Sequence, residues 1–312
     1  MFQFFKYHSI KPRTEHNIKP MFYGVSYKEH NGTNIVKYYK EQGYITGHTG
    51  TTCSREIFDI DLNKDPYKYL DYDFYDHENI AMFCDKNYIE KITSWTKGPS
   101  SQLKRCLYGK NAYEYAMEYT KQFWNAYKDN KKFFRIHIND GQEGSNEVIS
   151  YLNDPLYDFI REFYDKGWLN NTLLMIVSDH GNPLAGPLSA INPRDFKIEK
   201  TLGTLFLMIP NERRLYENGI YEDIKENSQT FVTPFDVHDT LVHIAYGDEY
   251  KEDKYSQQGQ SLFTYIDYTE RYCENPKLNY KISSFDCHCF YKKKTVMQLI
   301  KYYIDKYILF II

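Results

Sequence analysis

The sequence lacks the short motifs that identify several common enzyme classes. It contains no P-loop, no Gly-x-Gly-x-x-Gly turn and no Gly-x-Ser-x-Gly nucleophile elbow. It also has no Cys-x-x-Cys pair, and a zinc ribbon would need two such pairs. These absences exclude the common nucleotide-binding classes, the serine hydrolases and a zinc ribbon.

The sequence also lacks an excess of basic residues and an apolar run of signal-peptide type at its N-terminus. The 312 residues carry a net charge of −3, with basic and acidic residues interleaved, which gives no electrostatic basis for nucleic-acid binding. Residues 1–17 contain no uninterrupted apolar run of the kind found in signal peptides. Residues 296–312 are apolar, but they are too short and too charged for a spanning helix. We therefore expect no nucleic-acid partner and no membrane span in this chain.

Six cysteines occur without the spacing of a metal site. Their even number and the clustering of three of them near the C-terminus indicate disulfides. Two glycosylation sequons begin at Asn31 and Asn170. Together these features predict an extracellular or secretory-pathway lumenal location, with any membrane tether lying outside this chain. The cysteines are Cys53, Cys84, Cys106, Cys273, Cys287 and Cys289.

The most informative stretch is the apolar run from Thr172 to Val177, followed by Ser178, Asp179, His180 and Gly181. A short, uncharged, β-branched run predicts a strand buried on both faces. The polar residues then lie at its carboxyl end, where open α/β sheets bind ligands. A carboxylate beside an imidazole suits a divalent metal ion. An isolated Asp-His-Gly is more often a turn with a surface histidine, but the buried strand before it favours a metal site.

Helices and strands alternate along the chain, which predicts an α/β fold with a mixed, mostly parallel sheet sandwiched between helices. We expect one domain over residues 1–312, with residues 250–312 as a cysteine-containing extension packed on it. If the strands are parallel neighbours, Asp140 and Asp179 lie at the same sheet edge. Asp140 is then the best third ligand, with Glu143 next, although Asp140 in Asn-Asp-Gly is also a common turn residue. The predicted helices are 35–42, 110–128, 154–166 and 235–246; the predicted strands are 2–9, 44–47, 132–138, 172–177 and 204–209.

Other polar residues give weaker signals. Thr14 lies on a polar loop, where a threonine usually has no chemical role. His238 and His243 are five residues apart on one predicted helix, which places them on different faces, and we expect them to pack or to lie at the surface.

Several blocks of the sequence resemble the eukaryotic sulfatase-like family catalogued as domain of unknown function 229 (DUF229), a branch of the alkaline phosphatase superfamily. The resemblance covers nearly the whole chain in the expected order. The Ser-Asp-His-Gly and Thr-Pro-Phe-Asp-Val-His blocks are its most specific parts. Blocks that carry it include TEHNIKPMFYG (14–24), NNTLLMIVSDHGN (170–182) and TPFDVHDTLVHIAYG (233–247).

This resemblance implies an alkaline phosphatase-like fold and a metal-assisted attack of a hydroxyl on a sulfate or phosphate ester. The metal would be zinc, calcium, magnesium or manganese. The substrate would be a small anionic ester or a sulfated or phosphorylated glycan. It also implies a disulfide between Cys84 and Cys106. The implied site residues are catalytic Thr14, metal-binding Asp179, His180 and Asp140, and substrate-binding Asn17, Gln142 and Glu143.

The chain also departs from the family pattern. Relatives carry a strand ending in a metal-binding Asp before the block that contains Thr14, and we expect this chain to be truncated there. Gln142 stands where a histidine is expected, and a neutral amide does no acid–base work. Two functions therefore stay open: a metal-dependent hydrolase of sulfate or phosphate esters, and a catalytically inactive remnant or binding protein that keeps the fold.

Overall fold

A computed structural model describes residues 1–29, 32–51, 74–84, 106–141, 148–182, 190–211, 213–252, 258–273 and 307–311. Within them, a seven-stranded sheet has the strand order β1-β8-β7-β9-β6-β2-β3, and β4 and β5 form a separate two-stranded ribbon. The strands are β1 (Phe2–Gln3), β2 (Ile45–Gly50), β3 (His77–Asn79), β4 (Cys106–Leu107), β5 (Lys110–Asn111), β6 (Lys132–Ile138), β7 (Leu174–Val177), β8 (Leu205–Met208) and β9 (Tyr307–Ile311).

Helices flank the sheet, as the alternating pattern predicts. The α-helices are α1 (Glu15–Tyr23), α2 (Ile35–Glu41), α3 (Ala112–Ala126), α4 (Asn153–Asp165), α5 (Pro193–Thr201), α6 (Arg213–Glu217), α7 (Ile220–Asn227) and α8 (Pro234–Tyr246). Short 3-10 helices cover Ala81–Cys84, Val148–Leu152, Trp168–Asn171, Gly247–Glu249 and Tyr268–Glu270.

The prediction of an α/β fold with a mixed sheet is confirmed, but the expectation of mostly parallel pairing is wrong. Strand β2 pairs in parallel with β3 and β6, whereas the other four pairings in this sheet are antiparallel. The main cause is β9, which lies between β6 and β7 and runs antiparallel to both. Strands β6 and β7 consequently run in the same direction but are not neighbours.

The residues that hold β9 in the sheet are apolar. Phe310 and Ile311 are fully buried, and Phe310 pairs with Arg135 of β6 and Met175 of β7. Its ring centroid lies 5.8 Å from those of Phe22 and Phe133, so β9 contributes to the hydrophobic core. The apolar C-terminal run is therefore a central strand, a role that its sequence alone does not indicate.

The described core consists of two main clusters of buried apolar residues. One includes Ile18 of α1, Val36 of α2 and Leu241 of α8, together with Phe310. The other packs α3 and α4 against β6 and β7. Because side chains alternate along a strand, β6 contributes Phe133 to the first cluster and Phe134 to the second. Both faces of the sheet are thus buried, which explains the uninterrupted apolar sequence of β7.

Local sequence explains where α3 and α8 begin. Asn111 and Glu114 form a capping box at the start of α3, in which Glu114 Oε1 accepts from the Asn111 N–H at 2.9 Å. Thr233 and Asp236 do the same for α8, whose first residue, Pro234, has no N–H to satisfy.

The two histidines of α8 are packed against other side chains. His238 is 3% exposed, and its Nδ1 lies 3.0 Å from Asp239 Oδ1. The His243 ring stacks on Tyr250 at 4.2 Å, and its Nδ1 lies 2.8 Å from Ser261 Oγ. Burial lowers the pKa of His243 to about 4.

This burial of His243 predicts an acid-sensitive fold. In the unfolded chain an imidazole takes up a proton near its ordinary pKa of about 6.5, whereas folded His243 resists protonation until about pH 4. The contribution of His243 to the free energy of unfolding should therefore be highest above pH 6.5. It should fall by about 2–3 kcal/mol between pH 6.5 and pH 4. His243→Phe keeps the ring stack and should remove that part of the pH dependence. Urea unfolding at several pH values measures it, and equal slopes in both proteins would contradict the assignment.

The described residues bear on only part of the predictions about disulfides, glycosylation sequons and membrane spans. Cys273 is buried and disulfide-bonded. Asn170 of the second sequon is exposed. Among the described residues, no helix is long and apolar enough to cross a bilayer. Cys53, Cys287, Cys289 and Asn31, and the side chains of Cys84 and Cys106, lie outside the described residues.

Candidate active site

Strand β7 delivers Asp179 and His180 to the edge of the sheet. The Ser178 N–H donates to the Thr204 carbonyl at 2.8 Å, and Ser178 Oγ accepts from the Thr204 N–H at 2.6 Å. The strand ladder with the β8 segment therefore continues through Ser178. Asp179 and His180 follow immediately and are 0% and 2% exposed. Both polar side chains are thus fixed at the carboxyl end of a buried strand, as predicted.

The ring of His180 contacts three polar groups. Its Nδ1 lies 2.6 Å from the Gly181 carbonyl oxygen. Because a carbonyl oxygen only accepts hydrogen bonds, Nδ1 must carry a proton. Its Nε2 lies 3.3 Å from Asp179 Oδ2 and 3.3 Å from Thr14 Oγ1. Of the five predicted site residues that the structure describes, it therefore brings together three, Thr14, Asp179 and His180.

Thr14 occupies the position before the first turn of α1 but does not cap that helix with its side chain. A threonine at this position ordinarily accepts a hydrogen bond from the second or third backbone N–H of the helix. Here the hydroxyl instead approaches His180 Nε2, across 166 residues of sequence. This geometry distinguishes Thr14 from an ordinary loop threonine.

Asn17, predicted to contact substrate, organises the loop that carries Thr14. It is fully buried. Its Oδ1 accepts from the Ile10 N–H at 2.7 Å, and its Nδ2 donates to the carbonyls of Lys11 at 2.6 Å and Arg13 at 2.8 Å. The amide is thus committed to backbone groups of residues 10–13, which sets the course of the chain into α1.

The residue after His180 has to be a glycine because helix α5 passes very close to it. A Cβ atom added to Gly181 would meet the Glu199 backbone oxygen at 1.6 Å. The Glu199 side chain is mostly buried, and burial raises its pKa to about 8. The Glu199 carboxyl is accordingly largely protonated at neutral pH. Close packing of α5 thus confines the loop that holds His180.

Asp140 does not end a strand next to the one that leads to His180. Asp140 follows β6 and is 3% exposed, but β9 separates β6 from β7, so the ends of these strands are roughly 10 Å apart. The expectation that Asp140 and Asp179 end neighbouring strands is therefore wrong. No group of three His, Cys, Asp or Glu side chains that could hold a metal ion occurs in the described part of the chain. Gln142 and Glu143 lie outside it.

Tyr7 is a residue near the site that sequence reasoning missed. Its side chain is fully buried, and its ring lies against Gly203, where an added Cβ would be 2.9 Å away. Burial, followed by the negative charges of Asp179 and Asp236, raises the pKa of the Tyr7 hydroxyl well above its usual range. The chain contains 32 tyrosines, so no sequence signal singles this one out.

Asp236, at the start of α8, is neutralised by a cation within the fold. Arg271 Nη1 lies 2.9 Å from Asp236 Oδ1, and Oδ2 accepts from the Thr233 N–H at 2.7 Å. Burial nevertheless raises the pKa of Asp236 overall, against the opposing effect of Arg271. The carboxylate of Asp236 is thus engaged in contacts within the fold. Asp179 is the carboxylate that lies beside the imidazole of His180.

The contacts of His180 restrict the chemistry available there. With Nδ1 protonated, a neutral ring would direct the lone pair of Nε2 toward a carboxylate oxygen only 3.3 Å away, which is repulsive. A proton shared between Nε2 and Asp179 Oδ2, or a cation between them, removes the repulsion. Two ligands of one tetrahedral ion at 2.0–2.2 Å lie roughly 3.3–3.6 Å apart. The Nε2–Oδ2 and Nε2–Oγ1 separations match that spacing.

Comparison with known proteins agrees with the resemblance seen in the sequence. The model of the family described as "Protein of unknown function (DUF229)" matches residues 25–306. This match includes Asp179 and His180 but begins after Thr14. No curated protein and no solved structure gives a significant match. Since the family model covers most of the chain, this protein belongs to the DUF229 family.

Proposed function

We propose that this protein is a metal-dependent hydrolase of sulfate or phosphate esters, with Thr14 as nucleophile and with Asp179 and His180 as metal ligands. One observation carries the proposal: Nε2 of His180 lies 3.3 Å from both a carboxylate and a hydroxyl oxygen while Nδ1 contacts a carbonyl. Metal-binding histidines usually donate their second N–H to such a carbonyl or carboxylate.

The donor set fits a divalent ion. A carboxylate oxygen, an imidazole nitrogen and a hydroxyl oxygen suit zinc, and the oxygen ligands also suit magnesium, manganese or calcium. When bound, such an ion would lower the pKa of the Thr14 hydroxyl and neutralise charge that develops on the ester oxygens. Burial of Asp179 and His180 strengthens these electrostatic interactions by excluding water.

The surroundings of Thr14 favour an anionic substrate. The hydroxyl lies at the N-terminus of the nine-residue helix α1, where the helix dipole favours negative charge. Lys11 and Arg13 lie on the loop just before it. A small sulfate or phosphate ester, or a sulfated or phosphorylated glycan, is the substrate class that matches this environment.

In the proposed reaction, Thr14 Oγ1 releases its proton to solvent and forms a bond to phosphorus or sulfur as the bond from that atom to the leaving oxygen breaks. The leaving oxygen takes a proton from solvent and departs as an alcohol or phenol. Water then cleaves the ester on Thr14, which releases phosphate or sulfate and restores the hydroxyl.

The test is turnover of 4-nitrophenyl phosphate and 4-nitrophenyl sulfate with zinc, calcium, magnesium or manganese. We expect metal-dependent release of nitrophenol that falls by about 1,000-fold in Thr14→Ala and by much less in Thr14→Ser, which keeps a hydroxyl. Turnover that is unchanged in Thr14→Ala would overturn the assignment of the nucleophile.

The second proposal is a non-catalytic protein that binds anions with the same fold. It is favoured by the finding that, within the described residues, Asp179 and His180 are joined by no third His, Cys, Asp or Glu side chain that would complete a metal site. Binding of sulfate or phosphate without turnover, under every metal condition, would support it over the hydrolase.

A further inference from the structure

A cavity of about 590 Å³ lies at the edge of the sheet opposite His180. Its wall includes Tyr44, just before β2, Lys132, the first residue of β6, and Leu173, just before β7. Each of these strands runs from the cavity towards the edge that carries Asp179. Seven residues of β6 span roughly 20 Å, so the cavity is separate from the candidate active site.

The size and mixed lining of the cavity suit a small amphiphilic molecule. Ligand pockets in proteins commonly measure about 300–1,000 Å³. The lining combines polar and apolar surface in about equal parts, and its apolar side chains include Leu173, Ile209, Ile244 and Phe263. Leu215 of α6 and Ile220 of α7 also line it. The apolar body of a ligand would displace water from these side chains on entering.

The charges around the cavity are unequal. Three lysines, Lys128, Lys131 and Lys132, and two aspartates, Asp129 and Asp248, line it. The imidazole of His243 also lines it but adds no charge at neutral pH, since burial lowers its pKa to about 4. The part of the lining that the structure describes therefore carries net positive charge.

Of the three lysines, Lys128 and Lys131 keep their ammonium groups available to a ligand, whereas the ammonium group of Lys132 is engaged within the fold. Lys132 Nζ donates to the carbonyls of Tyr127 at 2.9 Å and Asn130 at 3.0 Å, and it lies 4.8 Å from the centroid of the Trp124 ring. By contrast, Lys128 and Lys131 form no ion pair within the described residues; Lys131 Nζ lies 5.6 Å from the centroid of the Tyr44 ring.

We propose that this cavity binds a small amphiphilic anion, with an aliphatic or aromatic body against the apolar side chains of the lining and one acidic headgroup at Lys128 and Lys131. The apolar side chains select against fully polar anions, and the lysines select against cations. This site goes beyond the proposed ester hydrolysis and does not depend on it.

Calorimetric titration at low ionic strength with decanoate, decanol and decylamine tests the proposal. These probes share a chain length and differ in charge. We expect decanoate to bind at least about tenfold more tightly than decanol, and decylamine to bind weakest, because of the lysines. Absence of saturable decanoate binding would overturn the proposal, and so would equal affinity for the three probes.

Substitutions in the lining test whether decanoate binds in this cavity. Lys128→Glu with Lys131→Glu should weaken decanoate binding at least about tenfold. Lys28→Glu, a control at an exposed lysine outside the cavity, should leave it nearly unchanged. Leu215→Trp, which fills the cavity from the partly exposed helix α6, should abolish binding without unfolding the chain. Unchanged binding in both cavity variants would reject the site, whereas unchanged binding in Asp179→Asn would confirm that it is separate from the active site.

Discussion

Replacing Asp179 with asparagine is expected to lower metal-dependent ester turnover on the order of 1,000-fold. We also expect the metal to bind so much more weakly that its dissociation constant no longer lies in the micromolar range. The substitution keeps the shape of a fully buried side chain but removes the charge that would hold a cation against His180 Nε2, 3.3 Å away. Two measurements follow the change: calorimetric titration with zinc or manganese, and turnover of 4-nitrophenyl esters. The shift in melting temperature caused by the metal should also disappear.

Asp140→Asn is the matched control, because Asp140 is also a buried aspartate at the same edge of the sheet. Since β9 separates the two strand ends, we expect its metal affinity to change by less than about tenfold. Equal losses of metal affinity in the two variants would indicate that Asp140 is also a metal ligand. Full metal affinity in Asp179→Asn would instead place the metal elsewhere and end the proposed mechanism.

Phe310→Ala is expected to lower the free energy of unfolding by about 3–5 kcal/mol, the usual cost of removing a fully buried aromatic side chain. Such a loss is large against the total stability of about 5–15 kcal/mol of ordinary domains. Removing residues 307–312 should have a stronger effect, because it leaves the facing edges of β6 and β7 unpaired. We expect that shortened chain to aggregate.

Urea unfolding, followed by circular dichroism, measures the change. Phe5→Ala is the control: it removes the same side chain from a site that is 38% exposed and should cost less than about 1 kcal/mol. If Phe310→Ala unfolds within 1 kcal/mol of the unaltered protein, then β9 does not occupy the centre of the sheet, and the separation of Asp140 from Asp179 loses its basis.

Most local structure could be predicted from the sequence because it depends on short-range patterns. The sequence predicts strand β6 with its observed bounds, Lys132–Ile138, since four of its seven residues are Phe or Ile, which favour strands. Helices α3, α4 and α8 lie within two residues of their predicted ends, because apolar periodicity and capping residues mark them. In contrast, the predicted strand 2–9 is reduced to Phe2–Gln3. The N–H groups of Phe4, Phe5, His8 and Ser9 donate to carbonyls of four separate segments, at Leu205, Ser228, Val232 and Thr201.

The sequence by itself determined the fold class, the family and the position of Asp179 and His180 at the end of a buried strand, because these follow from residues adjacent in the chain. Only the tertiary structure decided which groups meet those two residues. It placed Thr14 against His180, committed Asn17 to its own loop and buried Tyr7 near Asp179. It also inserted β9 between β6 and β7, which separates Asp140 from the pair. Strand order joins segments far apart in sequence, and no local pattern encodes which of several apolar strands pair.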